Sequence, residues 1–343
     1  AEHIKGNKSS LPENNMPYAK IVATGAFLPE KVVTNADLEK IVDTTDEWIR
    51  TRTGILERRV STPDEPSSLL AANALTDALD SIGMDKHELD FILVATVTPD
   101  MAFPSTACWI QKRLDINQIP ALDISAACSG FMYGLSMARA YIESGMYKNI
   151  AVIGVEELTK IANWEDRSTC VLFGDGAGAV IVQATEDEND GRILSNYLGA
   201  DGLYGSLLMK EAEGTVNPAT HETIDKKMHY ITMEGQETFK QAVRVMKSSS
   251  VEALKRAGLK EEDLDLVIPH QANIRIIDAL AQRLKVDYSK VQVTIDRYAN
   301  SSSATIPIAL NEANRDGKLQ PGNHVLMVAF GGGLTWGSTV VRW

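Results

Sequence analysis

Cys128, His270 and Asn300 are residues of types that together can perform acyl chemistry, and each sits next to a segment that reads as a strand. Cys128 lies in Asp123-Ile-Ser-Ala-Ala-Cys-Ser-Gly-Phe131. A strand-like run, 119–124, precedes it, and Phe131, Leu135, Ala138 and Ile142 follow at helical spacing until Gly145. A thiol at that junction meets the positive end of a helix macrodipole, where unpaired N–H groups favour a thiolate. The small residues Ala126, Ala127, Ser129 and Gly130 leave room for a substrate. The plainer reading of such a cysteine is a buried structural residue. His270 follows the apolar run 266–269 and precedes a helix-like stretch, 273–284. Strand ends gather ligand-contacting groups in α/β folds, although a lone histidine is commonly structural. Asn300 lies in Tyr298-Ala-Asn-Ser-Ser-Ser303, after a strand-like run, 291–295, and before an apolar helix-like run from Ala304. That place suits a turn or helix cap equally well.

Gly331-Gly-Gly333 follows another apolar strand and reads either as a tight turn or as backbone able to aim N–H groups at an oxyanion. A phosphate loop is a poorer reading, because no Lys-Ser/Thr follows and the next run is strand-like. Cysteine, histidine and asparagine form a coherent set for thioester work. The thiolate attacks an acyl thioester, N–H donors hold the oxyanion, and neutral His and Asn can donate to a carbonyl becoming an enolate. The same residue types serve cysteine proteases, and their order along the chain does not separate the two readings.

Two internal echoes suggest how these residues are positioned. Ala78-Leu79, Gly83-Met84 and the run 89–94 recur as Ala253-Leu254, Gly258-Leu259 and the run 264–268. Each is a helix, a Gly stop, an acidic turn and a buried strand. Gly174-Asp-Gly-Ala-Gly178 and Gly331-Gly-Gly333 are likewise two Gly-rich turns that feed β-branched strands. Two echoes in one order predict a duplicated α/β unit. Continuous apolar strands at 91–97, 150–155 and 325–330 predict sheets covered on both faces, layered α-β-α-β-α. The halves, 16–185 and 186–343, meet near the acidic stretch 186–191, and 210–227 reads as a surface loop. Residues 1–15 are polar and aperiodic, and read as a disordered leader or cloning remnant.

The 343 residues carry 34 basic and 46 acidic side chains, a formal charge of −12, which disfavours nucleic acid or an anionic membrane as main partner. No apolar run reaches the roughly 18 residues of a membrane helix. Three scattered cysteines, Cys108, Cys128 and Cys170, make neither a disulfide framework nor a metal motif, and fit a cytoplasmic protein.

The whole stretch 16–343 resembles the β-ketoacyl-acyl-carrier-protein synthase III family, within the thiolase-like superfamily. The resemblance is carried by Thr34-Asn-Ala-Asp-Leu38, Asp46-Glu-Trp-Ile49, Thr51-Arg-Thr-Gly54, Ala126-Ala-Cys-Ser-Gly130, Phe173-Gly-Asp-Gly-Ala-Gly178, Pro269-His-Gln-Ala-Asn273 and Phe330-Gly-Gly-Gly333. It implies a thiolase-like five-layer fold of two duplicated halves and an initiating condensing enzyme of bacterial type II fatty acid synthesis. Cys128 would accept the acyl group of a short acyl-CoA primer. His270 and Asn300 would bind malonyl-acyl carrier protein for decarboxylation. The N–H groups of Cys128 and Gly332 would form the oxyanion hole. The resemblance further implies that Trp48 and Arg167 sandwich the coenzyme A adenine, with Arg52 near the phosphates. Asn273 would order the site, Leu158 would line the acyl pocket, and Phe103 would reach across a homodimer interface into the partner's pocket. Lys240, Arg275 and Arg283 would dock the acidic carrier. No metal or redox cofactor is expected.

Ala299 stands where the family commonly has glycine and Tyr298 where it often has histidine, and 210–227 is longer and more charged than expected. These departures bear on primer size and the shape of the mouth. A biosynthetic thiolase would carry a second reactive cysteine near the C-terminal glycines, and 330–337 has none. A specialised-metabolite synthase or acyltransferase of the same fold is the main alternative. A cysteine hydrolase is a lesser one, and a non-catalytic binding module would leave the three residues without a purpose.

Overall fold

The structure, a computed structural model, describes residues 16–343; the leader expected at 1–15 lies outside the described residues. One sheet contains β1 (Tyr18–Phe27), β2 (Phe91–Ala95), β3 (Ala121–Ile124), β4 (Asn149–Glu157) and β5 (Asp175–Thr185), in the order β1-β5-β4-β2-β3. The second contains β6 (Arg192–Ala200), β7 (Leu266–Pro269), β8 (His324–Gly331) and β9 (Thr335–Arg342), in the order β7-β8-β9-β6. In the first, β3, β2 and β4 run parallel, β5 turns antiparallel to β4, and β1 antiparallel to β5. In the second, β7 and β8 are parallel and β9 and β6 follow antiparallel. The succession is therefore the same in both sheets.

The counterpart of β3 in the second sheet is reduced to one parallel bridge, Val267 to Val291. The strand expected at 291–295 is not formed. The buried Gln271 side chain takes up the donors a neighbouring strand would have paired: its Oε1 accepts from Thr294 N at 2.8 Å and Ile295 N at 3.1 Å. Released from the sheet, the chain turns helical at Ile295–Tyr298.

Six longer helices, α1 (Ser67–Ile82), α2 (Thr106–Leu114), α3 (Gly130–Glu143), α4 (Gly235–Ala257), α5 (Ile274–Leu284) and α6 (Thr305–Arg315), complete five layers. Strand alternation decides which side chain meets which layer. Ile92 and Val94 of β2 face outward onto Leu70, Leu75 and Leu79 of α1. Phe91 and Leu93 face inward onto Phe131 and Leu135 of α3, in the cluster that also holds Ile306 and Leu310 of α6 and Ile268 and Met327 of the second sheet. Val267, Leu326 and Val328 face out onto Met246 of α4 and Leu280 of α5. The central pair α3 and α6 is thus enclosed by both sheets. Gly83 and Gly258 end α1 and α4, as the first echo required.

The structure departs from the second echo in one detail. Gly176 and Gly178 lie inside β5 rather than in a turn, and a Cβ on Gly178 would sit 2.7 Å from Ile308 N. Those glycines let α6 approach the strand backbone. The stretch 210–227 is likewise less featureless than expected. Leu208–Lys210 pairs antiparallel with Ile231–Met233 across its base, and a short helix, His221–Asp225, is capped by Thr220. Among the described residues, no helix is long and apolar enough to cross a membrane.

Candidate active site

Two matching turns face each other at the entry to the central helices. Ala127–Ser129 forms a 3-10 turn leading into α3, and Ser302–Ala304 forms one leading into α6. Ala127 and Ser302 occupy corresponding places and share a left-handed backbone, φ 45° and 48°. His270 completes the arrangement directly after β7. The hairpin between β8 and β9 closes over the nucleophile turn. A Cβ on Gly331 would lie 2.6 Å from Cys128 N, so glycine alone permits the contact. Thr335 Oγ1 donates to the Ala126 carbonyl at 2.9 Å and accepts from Ser129 Oγ at 2.8 Å, which fixes the turn to the hairpin.

Cys128, His270, Asn300 and Gly332 all line one cavity of about 460 Å³. Asn300 is held by its backbone, with its N–H donating to Leu172 O at 3.0 Å and its carbonyl accepting from Gly174 N at 3.1 Å. Its Oδ1 accepts from Ser302 N at 2.8 Å, which assigns the other side-chain atom, Nδ2, as a donor available to a ligand. His270 Nδ1 lies 2.7 Å from Thr305 Oγ1, and its Nε2, buried and without a partner, is available to the cavity. Burial pushes the imidazole down to about 3, so it stays neutral across the working pH range. The Thr305 hydroxyl also lies 3.0 Å from the Ser302 carbonyl; with its proton directed there Nδ1 carries the imidazole hydrogen, and when the proton turns to Nδ1 instead, Nε2 carries it and becomes a donor.

The expected thiolate is not the resting state. Burial pushes the Cys128 thiol up to about 12, opposed by the neighbouring Ser302 hydroxyl and reinforced by the charge of Glu156. Desolvation outweighs the helix N-terminus here, because the thiol is buried in the cavity wall.

A sequence profile of 3-oxoacyl-[acyl-carrier-protein (ACP)] synthase III matches residues 122–202, and one of its C-terminal part matches 254–343. The β-ketoacyl-[acyl-carrier-protein] synthase III of Caldanaerobacter subterraneus subsp. tengcongensis is 54% identical over 95% of this chain and 98% of the relative. The chain belongs to the β-ketoacyl-acyl-carrier-protein synthase III family. The crystal structure of the 3-oxoacyl-[acyl-carrier-protein] synthase III from Aquifex aeolicus superposes with a TM-score of 0.88 at 50% identity, covering 95% of this chain and all of that one. The priming β-ketosynthase of the R1128 polyketide pathway, at 32% identity and a TM-score of 0.87, covers 97% and 98%. The five-layer thiolase-like fold is therefore that of known synthase III structures.

Of the remaining residues that the synthase III resemblance singled out, Trp48, Arg52, Leu158, Asn273 and Arg275 line the same cavity. Arg167 does not, but its guanidinium lies 5.1 Å from the Trp48 ring centre while that of Arg52 lies 5.0 Å away. An adenine between Trp48 and Arg167 needs roughly 7 Å, twice a van der Waals contact. Arg167 donates to Asp43 O at 2.8 Å, and the sandwich that the resemblance implies would require it to swing aside. Asn273 caps α5 by accepting from Arg275 N at 2.9 Å; its side-chain bond is to the helix, not to His270 or Asn300. Lys240 and Arg283 are exposed away from the cavity, as is Phe103, 83% exposed. Sequence reasoning passed over Glu156, Ser302 and Thr305. The spacing of Ala127 and Ser302 ahead of their helices was a third echo, hidden because Ala-Cys-Ser and Ser-Ser-Ala share little but size.

Proposed function

We propose that this chain initiates fatty acid synthesis by moving the acyl group of a short acyl-CoA primer onto Cys128. It then condenses that group with malonyl-acyl carrier protein, releasing CO2 and yielding 3-oxoacyl-acyl carrier protein. One observation carries the reading: a free thiol, a neutral His with an unpartnered Nε2 and an Asn amide with an uncommitted Nδ2 meet in one buried cavity. The thiol supplies the covalent acceptor. The two neutral donors suit an enolate, because hydrogen bonds to the thioester oxygen strengthen as its charge grows. The N–H groups of Cys128 and Gly332 serve the oxyanion of acyl transfer; among the described residues neither is taken up by a turn or cap. The chemistry needs no metal or redox cofactor, since charge development is met by hydrogen bonds and the electron pair of the broken C–C bond stays on the α-carbon as the enolate that attacks the acyl group.

Coenzyme A enters past Trp48, Arg52 and Arg167, and the acyl chain extends towards Leu158. The carrier docks on Arg275, Arg283 and Lys240, exposed basic residues on the contacting helices α5 and α4 that suit an acidic protein on a chain of charge −12. The exposed Phe103 ring reaches the acyl pocket of a second subunit in a cytoplasmic homodimer. The likeness to a polyketide priming synthase favours a second reading, the same two half-reactions with a primer for specialised metabolism. Incubation with a panel of radiolabelled acyl-CoA primers and malonyl carrier protein tests both. Labelled 3-oxoacyl carrier protein supports condensation and names the primer. Release of free acid without malonyl consumption would make the protein a hydrolase.

A further inference from the structure

Glu156 is the penultimate residue of β4, wholly buried, beside the nucleophile turn. Its carboxyl accepts from Val97 N at 3.1 Å, from Thr98 Oγ1 at 2.6 Å and from Ser303 Oγ at 3.0 Å. Every one of these partners is uncharged. Ser302 Oγ, also buried, lies beside both the Cys128 thiol and the Glu156 carboxyl and completes a hydrogen bond with neither. A hydroxyl is both donor and acceptor, so an unpartnered one between an acid and a base is a route for a proton. Other ionisable groups near Glu156 are turned away. Glu157 faces Ser61, Ser67 and Lys160, Asp175 faces Ser61 and Thr159, and neutral His270 belongs to the opposite half of the site.

We propose that Glu156, acting through the Ser302 hydroxyl, takes the Cys128 proton during primer transfer and returns it when condensation frees the sulfur. The inference rests on Cys128 being the acyl acceptor. As the sulfur bonds to the primer carbonyl carbon, the thiol proton passes to Ser302 Oγ and the Ser302 proton passes to the carboxylate. The primer C–S bond breaks, and the coenzyme A thiolate takes a proton from solvent. In the second half-reaction CO2 leaves, the malonyl carbon bonds to the acyl carbon, and the Cys128 S–C bond breaks. The freed thiolate then recovers its proton from Glu156 through Ser302. Burial holds the carboxyl at about 7, against its hydrogen bonds from Thr98, Val97 and Ser303, so it is a base poised at the working pH. Spontaneous ionisation of a thiol near 12 would leave on the order of one thiolate in 10⁵ at neutral pH. Glu156 touches no substrate; it is a positioning residue for a proton.

The sign of one substitution separates this role from simple repulsion. A carboxylate that merely disfavours the thiolate would make Glu156→Gln faster to alkylate, whereas loss of a proton acceptor makes it slower. The test follows iodoacetamide alkylation and acyl-CoA acylation of Cys128 between pH 6 and 9 in the full chain, in Glu156→Gln, Ser302→Ala and Glu156→Asp. Malonyl carrier decarboxylation is measured alongside. The wild type should show rates rising through a group near 7. Glu156→Gln and Ser302→Ala should lose that inflection and fall about a hundredfold at pH 7.5. Glu156→Asp should restore the inflection in part, and decarboxylation should fall far less than alkylation. Equal or faster alkylation in Glu156→Gln overturns the proposal. So does an equal loss of both activities in both variants, which would mean that the residues only hold the site together. If the wild type forms no acyl adduct with any primer, it is the acyl-acceptor reading that fails, while alkylation still decides the proton route.

Discussion

Asn300 makes two hydrogen-bonding commitments that substitution can separate. Its Oδ1 holds Ser302 N at 2.8 Å, which supports the fold of the turn, and its Nδ2 remains to donate to an enolate. Asn300→Ala removes both. Losing one donor aimed at a developing oxyanion costs about 3 kcal/mol, or about a hundredfold in rate. Leaving the buried Ser302 N–H unpaired costs about 1–3 kcal/mol of stability. Asn300→Asp keeps an acceptor for Ser302 and loses the donor once ionised. Both variants should therefore release CO2 from malonyl carrier protein about a hundredfold more slowly, measured with labelled malonate, while still forming an acyl adduct on Cys128. Only the alanine variant should also unfold at lower urea concentration. Near-normal decarboxylation by either variant would remove Asn300 from the role, and equal stability losses would show that the Ser302 contact does not matter.

Thr305→Val should leave His270 Nδ1 without its partner and slow decarboxylation by about ten- to a hundredfold, with acylation spared; nitrogen NMR of the imidazole would report the changed tautomer. Arg275 lies at the cavity mouth over Phe239, eight residues before Arg283 on α5. Arg275→Glu should raise KM for malonyl carrier protein and weaken its salt dependence while primer acylation persists. Glu156 is held near 7 in the folded chain against 4.5 unfolded, so the folded state retains its proton longer and wild-type stability falls as pH rises from about 4.5 to 7. Glu156→Gln should remove about 3 kcal/mol of that fall in urea titrations, and an unchanged pH slope would refute the buried acid.

Hydrophobic periodicity made the layers readable. Runs such as 91–95 and 325–330 are apolar at successive positions, which only a sheet covered on both faces requires. Cys128 and His270 were legible because each follows a strand-like run, and the resemblance joined Asn300 to them. What failed was whatever depended on a distant side chain. The run 291–295 has a strand's composition, but Gln271, twenty residues earlier, occupies its hydrogen bonds. Gly176 and Gly178 look like a turn until α6 is placed against them. The state of the thiol was likewise set by enclosure, which a local helix-terminus argument does not register. Glu156, just past the strand-like run 150–155, drew no reading at all, since nothing nearby in the chain announces Ser302 and Ser303, almost 150 positions on.

Intact-protein mass spectrometry of Cys128 tests the central claim most directly. The enzyme is incubated with an acyl-CoA primer, freed of excess primer, digested to place the adduct, and then given malonyl-acyl carrier protein. The account predicts a single acyl group on Cys128 that disappears as 3-oxoacyl carrier protein forms, and no adduct in Cys128→Ala. An active enzyme whose primer never resides on Cys128, or whose adduct is discharged to free acid without malonyl consumption, would contradict it.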